Sequence, residues 1–247
     1  MKNIIIIIPA RIKSTRLPGK PLRTIMKKPL LYWTWKNCTK AIPAKKIYVA
    51  TDSQIIVKAC DKYGIQSIIT SSNCLTGTDR VAETAVKFSK KIIINIQGDE
   101  PFINYKDIQK FIKFSIKNKK FVTNAYTPIK NKKIFENKNV PKVVLKKNNE
   151  LLYISRSAIP GSKNTKFIYG YKQVCMYGFP SEILKKQFGK GIKKTPLEKI
   201  EDIEILRFLE NGITIKMLKV KDNRLSIDTK EDLKKAKNIF LKNKNFI

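Results

Sequence analysis

Residues 4–22 read IIIIIPARIKSTRLPGKPL, and this stretch decides the fold class. Five consecutive isoleucines are typical of a strand that is covered on both faces, as the inner strands of a parallel sheet are. The loop that follows offers four cations and two hydroxyls, and three prolines and a glycine restrict its path. Because open α/β sheets bind ligands outside the carboxyl ends of their strands, this loop is either a shaped anion site or a basic surface loop. It contains neither GxxxxGKS/T nor GxGxxG, so it is not one of the common nucleotide loops.

Strand and helix patterns alternate through the first half of the chain. Apolar, β-rich runs predict strands at 4–8, 46–51, 66–70, 92–97 and 121–126. Amphipathic stretches between them predict helices at 29–38, 53–63, 78–88 and 104–116. Strands that alternate with helices are joined by crossovers, so we expect an α/β fold with a doubly wound, mostly parallel sheet.

The middle of the chain has a different pattern. Residues 130–140 are polar and predict a loop, and short strands are predicted at 142–145, 151–155 and 174–179 without long helices between them. We expect a small antiparallel insertion around residues 127–180 that covers a site or pairs two subunits. The pattern then predicts a helix at 196–210 with Gly212 as its C-cap, a strand at 214–218 and a last helix from Glu231. No repeat or linker divides the chain, so we interpret residues 1–247 as one domain.

The composition excludes several kinds of protein. The 247 residues are 42% hydrophobic and 29% charged, which is typical of a folded domain with a core. There is no histidine, so Ser-His and Cys-His nucleophile pairs and His-ligated zinc are ruled out. The four cysteines form no CxxC pair, and no apolar run is long enough for a signal sequence or a membrane span. These features favour a cytoplasmic protein with reduced thiols.

The charge of the chain is strongly positive. There are 52 Lys and Arg against 19 Asp and Glu, a formal net charge of +33, and 45 of the 52 are lysine. Such a charge would attract nucleic acid or an anionic membrane surface. The lysines are spread along the whole chain without a nucleic-acid-binding motif, so we prefer compositional drift as the explanation. The arginines are then candidates for positions where a planar fork of donors cannot be replaced by an ammonium. They are Arg11, Arg16, Arg23, Arg80, Arg156, Arg207 and Arg224.

Two acidic residues lie at predicted strand ends in a chain with few acids. Asp99 follows the strand at 92–97, and Asp228 ends a short strand near the C-terminus. A carboxylate in such a place can bind Mg²⁺, which prefers oxygen ligands together with substrate phosphates. The alternatives are a solvated turn for Asp99 and an N-cap of the last helix for Asp228.

Two further segments carry polar groups. Residues 70–80 are rich in hydroxyls and lead into a helix N-terminus, whose backbone N–H groups would be available to a base or an acid group. The predicted helix at 196–210 begins with an acidic face of Glu198, Glu201 and Asp202. This face could bind a polyol or a cation, or pair with lysines.

Taken in order, these segments resemble the 3-deoxy-manno-octulosonate cytidylyltransferases, also called CMP-Kdo synthetases. The resemblance extends over nearly the whole chain and rests on PARIKSTRLPGKPL, YVATD, TGTDRVAE, INIQGDEPFI, SRSAIP, YGY, PLEKIEDIEILR and SIDTKEDL. It implies a GT-A-like nucleotidyltransferase fold. The implied reaction is transfer of CMP from CTP to the anomeric hydroxyl of Kdo, a 3-deoxy-2-ulosonic acid, with release of pyrophosphate, for lipopolysaccharide biosynthesis. It also implies Mg²⁺ as the cofactor and a homodimer.

The resemblance implies roles for individual residues as well. The nucleotide and its phosphates would be held by Ala10, Arg11, Ser14, Arg16, Lys20, Gly77, Thr78 and Arg80. The segments that approach the sugar acid contain Gln97, Arg156, Tyr177, Glu198 and Glu204. Asp99 and Asp228 would hold Mg²⁺, and Arg11, Arg16 and Lys20 would stabilise the leaving pyrophosphate. The implied catalytic residues are Arg11, Lys20, Asp99 and Asp228.

The chain departs from the family pattern where the family reads the sugar. Cys74 and Gln173 stand where the family usually has histidine, Ile205 stands where it often has glutamine, and Leu75 also replaces a polar side chain. A cytidylyltransferase for 8-amino-Kdo or another ulosonic or nonulosonic acid is therefore an alternative. A basic nucleic-acid-binding protein on the same scaffold is a second one.

Overall fold

The computed structural model describes residues 3–13, 17–164, 166–221, 227 and 229–242. The strands are β1 (Ile4–Pro9), β2 (Thr24–Ile25), β3 (Lys28–Pro29), β4 (Ile47–Thr51), β5 (Ser67–Ile69), β6 (Ile92–Ile96), β7 (Val122–Pro128), β8 (Lys142–Leu145), β9 (Leu151–Ser155), β10 (Tyr171–Pro180) and β11 (Ile215–Lys219). The helices are α1 (Leu30–Thr39), α2 (Gln54–Asp61), α3 (Gly77–Ala85), α4 (Tyr105–Lys117), α5 (Lys132–Glu136), α6 (Ser181–Phe188), α7 (Pro196–Glu201), α8 (Leu206–Glu210) and α9 (Lys230–Lys242).

The central sheet has the strand order β11-β7-β10-β6-β1-β4-β5, and β8 and β9 extend it beside β10. β1 is parallel to both of its neighbours, with Ile6 opposite Ile47 on β4 and opposite Ile94 on β6. β10 runs antiparallel to β6 and β7, while the other pairings along that path are parallel. The predicted α/β class with a mostly parallel sheet is therefore confirmed.

Helices cover both faces of this sheet. On one face α1, α2 and α4 bury apolar side chains, among them Ile56 and Phe111, against β1 and β6. On the other face α3, α6 and α8 bury residues such as Val81 and Phe208. This double cover explains the five isoleucines of β1, which are at most 1% exposed, because neither face of that strand meets water. Among the described residues, no helix combines the length and hydropathy needed to cross a membrane.

Several elements differ from the predicted ones. The helix predicted at 196–210 is two helices, because Asp202 has a left-handed φ of 49° and ends α7. α6 occupies a stretch without a predicted helix, and α5 lies within the predicted loop at 130–140. β8 and β9 form an antiparallel pair as predicted, but β10 is longer than 174–179 and belongs to the central sheet.

Candidate active site

A cavity of about 240 Å³ opens where β1 and β6 end. The loop after β1, the segment that leads into α3 and the loop after β6 form its walls, and these are three of the segments in which the sequence predicts ligand contacts. Its lining residues are Pro9, Ala10, Arg11, Lys20, Pro21, Cys74, Thr76, Gly77, Arg80, Gln97, Gly98, Asp99 and Glu204. A larger cleft of about 740 Å³ lies between α3 and residues 185–193, but none of the predicted site residues lines it. The smaller cavity is therefore the candidate active site.

The loops after β1 and β6 come close together because residue 98 is glycine. A Cβ atom at Gly98 would lie 3.1 Å from the carbonyl oxygen of Pro9 and 3.5 Å from the side chain of Leu31. The hydroxyl of Thr34 on α1 donates to the Gly98 carbonyl at 3.2 Å and fixes the turn. A larger residue at this position would push the two loops apart.

Lys20 and Asp99 form an ion pair across these loops. The distance from Lys20 Nζ to Asp99 Oδ2 is 2.6 Å, and the two side chains are 14% and 30% exposed. Gly19, with a φ of 66°, begins the short helical turn that carries Lys20. This positive φ costs glycine little, since it has no Cβ. The pair places an ammonium and a carboxylate side by side at the cavity wall.

The chemistry of Asp99 suits a magnesium ion. Mg²⁺ is commonly held by one or two carboxylates together with substrate phosphates, and Asp99 lines the same cavity as Arg11 and Lys20. The backbone N–H of Ile227 donates to the Asp99 carbonyl at 3.5 Å, but Asp228 itself lies outside the described residues. Within the described ranges, no three His, Cys, Asp or Glu side chains cluster as a metal site. A metal here would therefore need ligands beyond Asp99.

The N-terminus of α3 holds Glu204. The N–H groups of Gly77 and Thr78 each donate to a different carboxylate oxygen of Glu204 at 3.0 Å, and the Thr78 hydroxyl donates to it as well. Burial is the main cause that raises the pKa of Glu204, and the hydrogen bonds from α3 oppose it. The sequence predicts these N–H groups to be available to a ligand, and in the structure Glu204 takes them. The contact also brings Glu204, from the turn between α7 and α8, into the cavity wall.

Arg80 lines the cavity from a fixed position. It is 3% exposed, its Nη2 atom lies 3.0 Å from the carboxylate of Asp52, and its Nη1 atom donates to the hydroxyl of Thr70. These contacts tie α3 to the loops after β4 and β5.

Tyr177 is a predicted sugar-binding residue that is buried beneath the site. It is 7% exposed, and its ring stacks on that of Phe179. Burial is the main cause that raises the pKa of Tyr177 well above its usual range, with contributions from Cys175 and Glu204.

Arg156 and Glu198, also predicted to approach the sugar, make contacts within the protein. Arg156 donates to the backbone carbonyls of Glu201 and Asp202 at 2.5 and 3.0 Å. Glu198 has no exposed surface and accepts two hydrogen bonds from Arg207, at 2.6 and 2.8 Å. Neither residue lines the cavity.

Arg207 connects the acidic helix to α3. It is completely buried, and besides Glu198 it contacts Asp79 on α3 at 3.3 Å and stacks over the ring of Phe188 at 3.7 Å. The sequence gives no direct signal for this role, although Arg207 is one of only seven arginines. It acts as a clamp between the helices around the cavity.

The structure thus brings most of the predicted residues together. Those in the cavity wall are Ala10, Arg11, Lys20, Gly77, Arg80, Gln97, Asp99 and Glu204, and Thr78 contacts the last of them. Tyr177, Arg156 and Glu198 lie outside that wall. Ser14, Arg16 and Asp228 lie outside the described residues.

Comparisons with known proteins agree on one family. The model of the cytidylyltransferase family matches residues 5–216. A 3-deoxy-manno-octulosonate cytidylyltransferase of Elusimicrobium minutum is 38% identical over 242 residues, covering 96% of this chain and 98% of the relative. One from Fusobacterium nucleatum is 39% identical over 240 residues, with 96% of each chain covered. A solved structure of CMP:2-keto-3-deoxy-manno-octonic acid synthetase complexed with CTP matches with a TM-score of 0.88 and 29% identity, over 97% of this chain and 98% of that one.

Proposed function

The chain belongs to the family of 3-deoxy-manno-octulosonate cytidylyltransferases, and we propose that it transfers CMP from CTP to the anomeric hydroxyl of Kdo and releases pyrophosphate. The observation that carries this proposal is the meeting of Arg11, Lys20 and Asp99 in one cavity. The product is an activated sugar for lipopolysaccharide biosynthesis.

The cationic side of the cavity suits the triphosphate. Arg11 and Lys20 line it, and Ser14 and Arg16 belong to the same loop in sequence. In an in-line displacement at the α-phosphorus, the bond to pyrophosphate breaks and negative charge develops on the leaving group. Preorganised cations stabilise that charge, which is the role that we assign to Arg11 and Lys20.

Asp99 and Asp228 are the proposed metal ligands. They would hold Mg²⁺, whose charge when bound neutralises phosphate oxygens and lowers the pKa of a nearby hydroxyl group. The Lys20 ammonium, 2.6 Å from Asp99, keeps that carboxylate oriented at the cavity wall. Because the chain has no histidine, no imidazole base can take the proton of the attacking hydroxyl.

The remaining wall of the cavity is the proposed sugar side. Gln97 and Glu204 supply an amide and a carboxylate there, which are groups that bind hydroxyls. Arg156, Tyr177 and Glu198 then support this side through their contacts within the protein.

A second candidate substrate is 8-amino-Kdo or another ulosonic acid. Ile205, which stands where relatives often have glutamine, is 1% exposed and packed in the apolar core, so it offers no hydrogen bond. Cys74 lines the cavity where relatives usually have histidine. A site with fewer polar demands rejects analogues less strongly.

We also propose that the protein is a cytoplasmic homodimer that pairs through the insertion around residues 127–180. The insertion presents large apolar side chains to solvent: Leu152 is 55%, Tyr169 is 58% and Ile168 is 75% exposed. None of the four cysteines is in a disulfide, as a reducing compartment requires. Sedimentation velocity tests the dimer. We expect the wild type to sediment as a dimer and Ile168→Glu to sediment as a monomer. A wild type that is monomeric would contradict the proposal.

Pyrophosphate release from CTP, measured with Kdo and with related ulosonic acids, tests the activity. Asp99→Asn should fold normally and lose turnover by about a hundredfold or more, since a metal ligand contributes several kcal/mol and each 1.36 kcal/mol is tenfold. Asp228→Asn should behave in the same way. Asp61→Asn, at the end of α2, is the matched control and should keep wild-type turnover. Near-normal turnover of Asp99→Asn at saturating Mg²⁺ would exclude the metal assignment.

A further inference from the structure

Arg80 on α3 lines the cavity, and three residues that do not line it contact its guanidinium group. The Nη1 atom donates to the hydroxyl of Thr70 and, at 3.4 Å, to the carbonyl oxygen of Ser71. The Nη2 atom lies 3.0 Å from the carboxylate of Asp52. Because none of these three partners belongs to the cavity wall, the cavity meets Arg80 on the side that they leave open.

The open side of Arg80 has donors to offer. An arginine has five N–H donors in a rigid, planar fork. Nη1 uses its two protons on Thr70 and Ser71, and Nη2 faces Asp52, but Nε donates to no described residue. Arg80 is only 3% exposed, and an N–H group that is buried without a partner is costly. This side of Arg80 is therefore suited to an acceptor group of a ligand in the cavity.

The geometry of Asp52 indicates more than a structural ion pair. Arginine and a carboxylate frequently pair through two parallel hydrogen bonds, which engage both carboxylate oxygens. Here Oδ2 of Asp52 approaches Arg80, while Oδ1 is buried and hydrogen-bonds no described residue. Asp52 thus fixes one corner of the guanidinium and leaves other donors available, although one of its own oxygens stays unsatisfied.

Asp52 also balances the charge of Arg80. Within the part of the chain that the structure describes, no other carboxylate lies within ion-pair distance of that guanidinium. Without Asp52, Arg80 would be a buried cation with no counter-charge. It could then turn towards Asp99 or Glu204, whose carboxylates line the same cavity. Asp52 therefore keeps the Arg80 fork in one orientation.

We infer that Asp52 is a positioning residue for the nucleotide, which holds Arg80 so that the open side of its guanidinium donates to CTP. Arginine can only donate, and CTP carries many groups that only accept, namely its phosphate oxygens and the carbonyl oxygen and ring nitrogen of cytosine. This inference rests on the proposed function, since it takes CTP as a ligand of the cavity. Asp52 acts only through Arg80, and binding of the sugar acid does not depend on it.

Calorimetric titration of CTP in the presence of Mg²⁺, without a sugar acid, tests this role. Asp52→Asn should raise Kd for CTP by about tenfold, equivalent to about 1.4 kcal/mol, and leave KM for the sugar acid unchanged in the pyrophosphate assay. Asp61→Asn, the same chemical change at the end of α2, is the matched control and should keep both wild-type values. An unchanged Kd for CTP in Asp52→Asn, or an equal rise in KM for the sugar acid, would overturn the inference.

A double-mutant cycle with Arg80→Lys shows whether Asp52 acts through Arg80. Arg80→Lys keeps the charge but loses the planar fork, so it should weaken CTP binding at least as much as Asp52→Asn does. The double variant should bind CTP no more weakly than Arg80→Lys alone. Losses that multiply would overturn the inference. Asp52→Asn should also lower Tm, which a merely structural role predicts too, so the contrast between CTP and the sugar acid is the deciding measurement.

Asp52→Glu keeps the test decisive if Asp52→Asn does not fold. This variant retains a carboxylate beside Arg80 but moves it by one methylene, and a shift of about 1 Å in a positioning group is enough to weaken ligand contacts. It should raise Kd for CTP, and a wild-type Kd would overturn the inference. A wild-type protein that binds CTP but releases no pyrophosphate with any ulosonic acid would overturn the proposed reaction alone. A wild-type protein that does not bind CTP would overturn both.

Discussion

Folding stability should depend on pH through the titration of Lys142, a lysine of β8 with no exposed surface. Its ammonium donates to the backbone carbonyls of Asn137, at 3.0 Å, and of Arg156. Burial is the largest cause that lowers the pKa of Lys142 from 10.5 to about 8, the charge of Arg156 adds to it, and Glu201 opposes it. The folded protein therefore holds this proton less tightly than the unfolded chain does.

The sign and the magnitude follow from proton binding. The stability associated with the neutral amine is fully present above pH 10.5 and is lost as the pH falls through about 8. The difference between the two pKa values corresponds to roughly 3.4 kcal/mol of destabilisation at pH 7, at about 1.36 kcal/mol per pKa unit. At pH 9.5 Lys142 is almost entirely neutral in the folded protein, and roughly 1.4 kcal/mol of this destabilisation remains. Lys142 should therefore make the protein about 2 kcal/mol more stable at pH 9.5 than at pH 7.

Lys142→Met removes the titrating group and keeps an unbranched side chain of similar length. The free energy of unfolding, from urea titrations at pH 7 and 9.5, should rise by about 2 kcal/mol more in the wild type than in this variant. Comparing two proteins cancels the titration of the cysteines and the other lysines. Lys147→Met, at an exposed position between β8 and β9, is the control and should follow the wild type. An equal pH dependence in wild type and Lys142→Met would refute the reasoning.

Three further predictions concern charge and specificity. Arg11→Lys should lower turnover although it keeps the charge, because a phosphate clamp uses the planar fork, whereas Lys27→Arg and Lys132→Arg should not; equal tolerance at all three positions in the pyrophosphate assay would contradict this. Nucleic-acid binding, followed by fluorescence anisotropy, should be weak and should vanish as salt approaches physiological strength, since diffuse counterion release drives it; sequence-selective binding that survives such salt would favour a nucleic-acid-binding protein. In competition kinetics at one CTP concentration, Kdo should be accepted, but its preference over 8-amino-Kdo should be shallow or even reversed. A preference for Kdo of about a thousandfold, or roughly 4 kcal/mol, would show that the departures at Cys74 and Ile205 do not loosen the pocket.

The local parts of the fold could be predicted because they depend on local patterns. Five consecutive isoleucines, Ile4 to Ile8, are typical of a covered strand, and the amphipathic stretches that became α1 to α4 repeat at helical spacing. The break at Asp202 could not be predicted in the same way, since an aspartate that adopts a left-handed φ leaves no Gly or Pro signal in the sequence. The place of β10 between β6 and β7 depends on pairing with residues 43 to 88 positions away, which no local pattern contains.

The same division applies to the candidate site. The loops after β1 and β6 were predictable, because ligand groups of a parallel sheet collect at the carboxyl ends of its strands. The contact of the Glu204 carboxylate with the N-terminus of α3 was not predictable, because it joins residues separated by 127 positions. It changes the chemistry of the site, since the N–H groups that a substrate anion could have used already hold a carboxylate. In the proposed function, the phosphates of CTP then depend more on the cations that line the cavity, such as Arg11 and Lys20.

The arginines lead to a more specific conclusion than their scarcity suggested. Arg80, Arg156 and Arg207 each make several contacts at once. Arg80 binds a carboxylate and a hydroxyl, Arg156 binds backbone carbonyls, and Arg207 binds a carboxylate and packs on an aromatic face. An ammonium cannot reproduce these planar arrangements, so arginine is required there for structural reasons around the site. Arg11 is different, because it is exposed at the cavity and no described residue pairs with it. The guanidinium of Arg11 is therefore not engaged by any described residue, which fits the role proposed for it in binding the triphosphate.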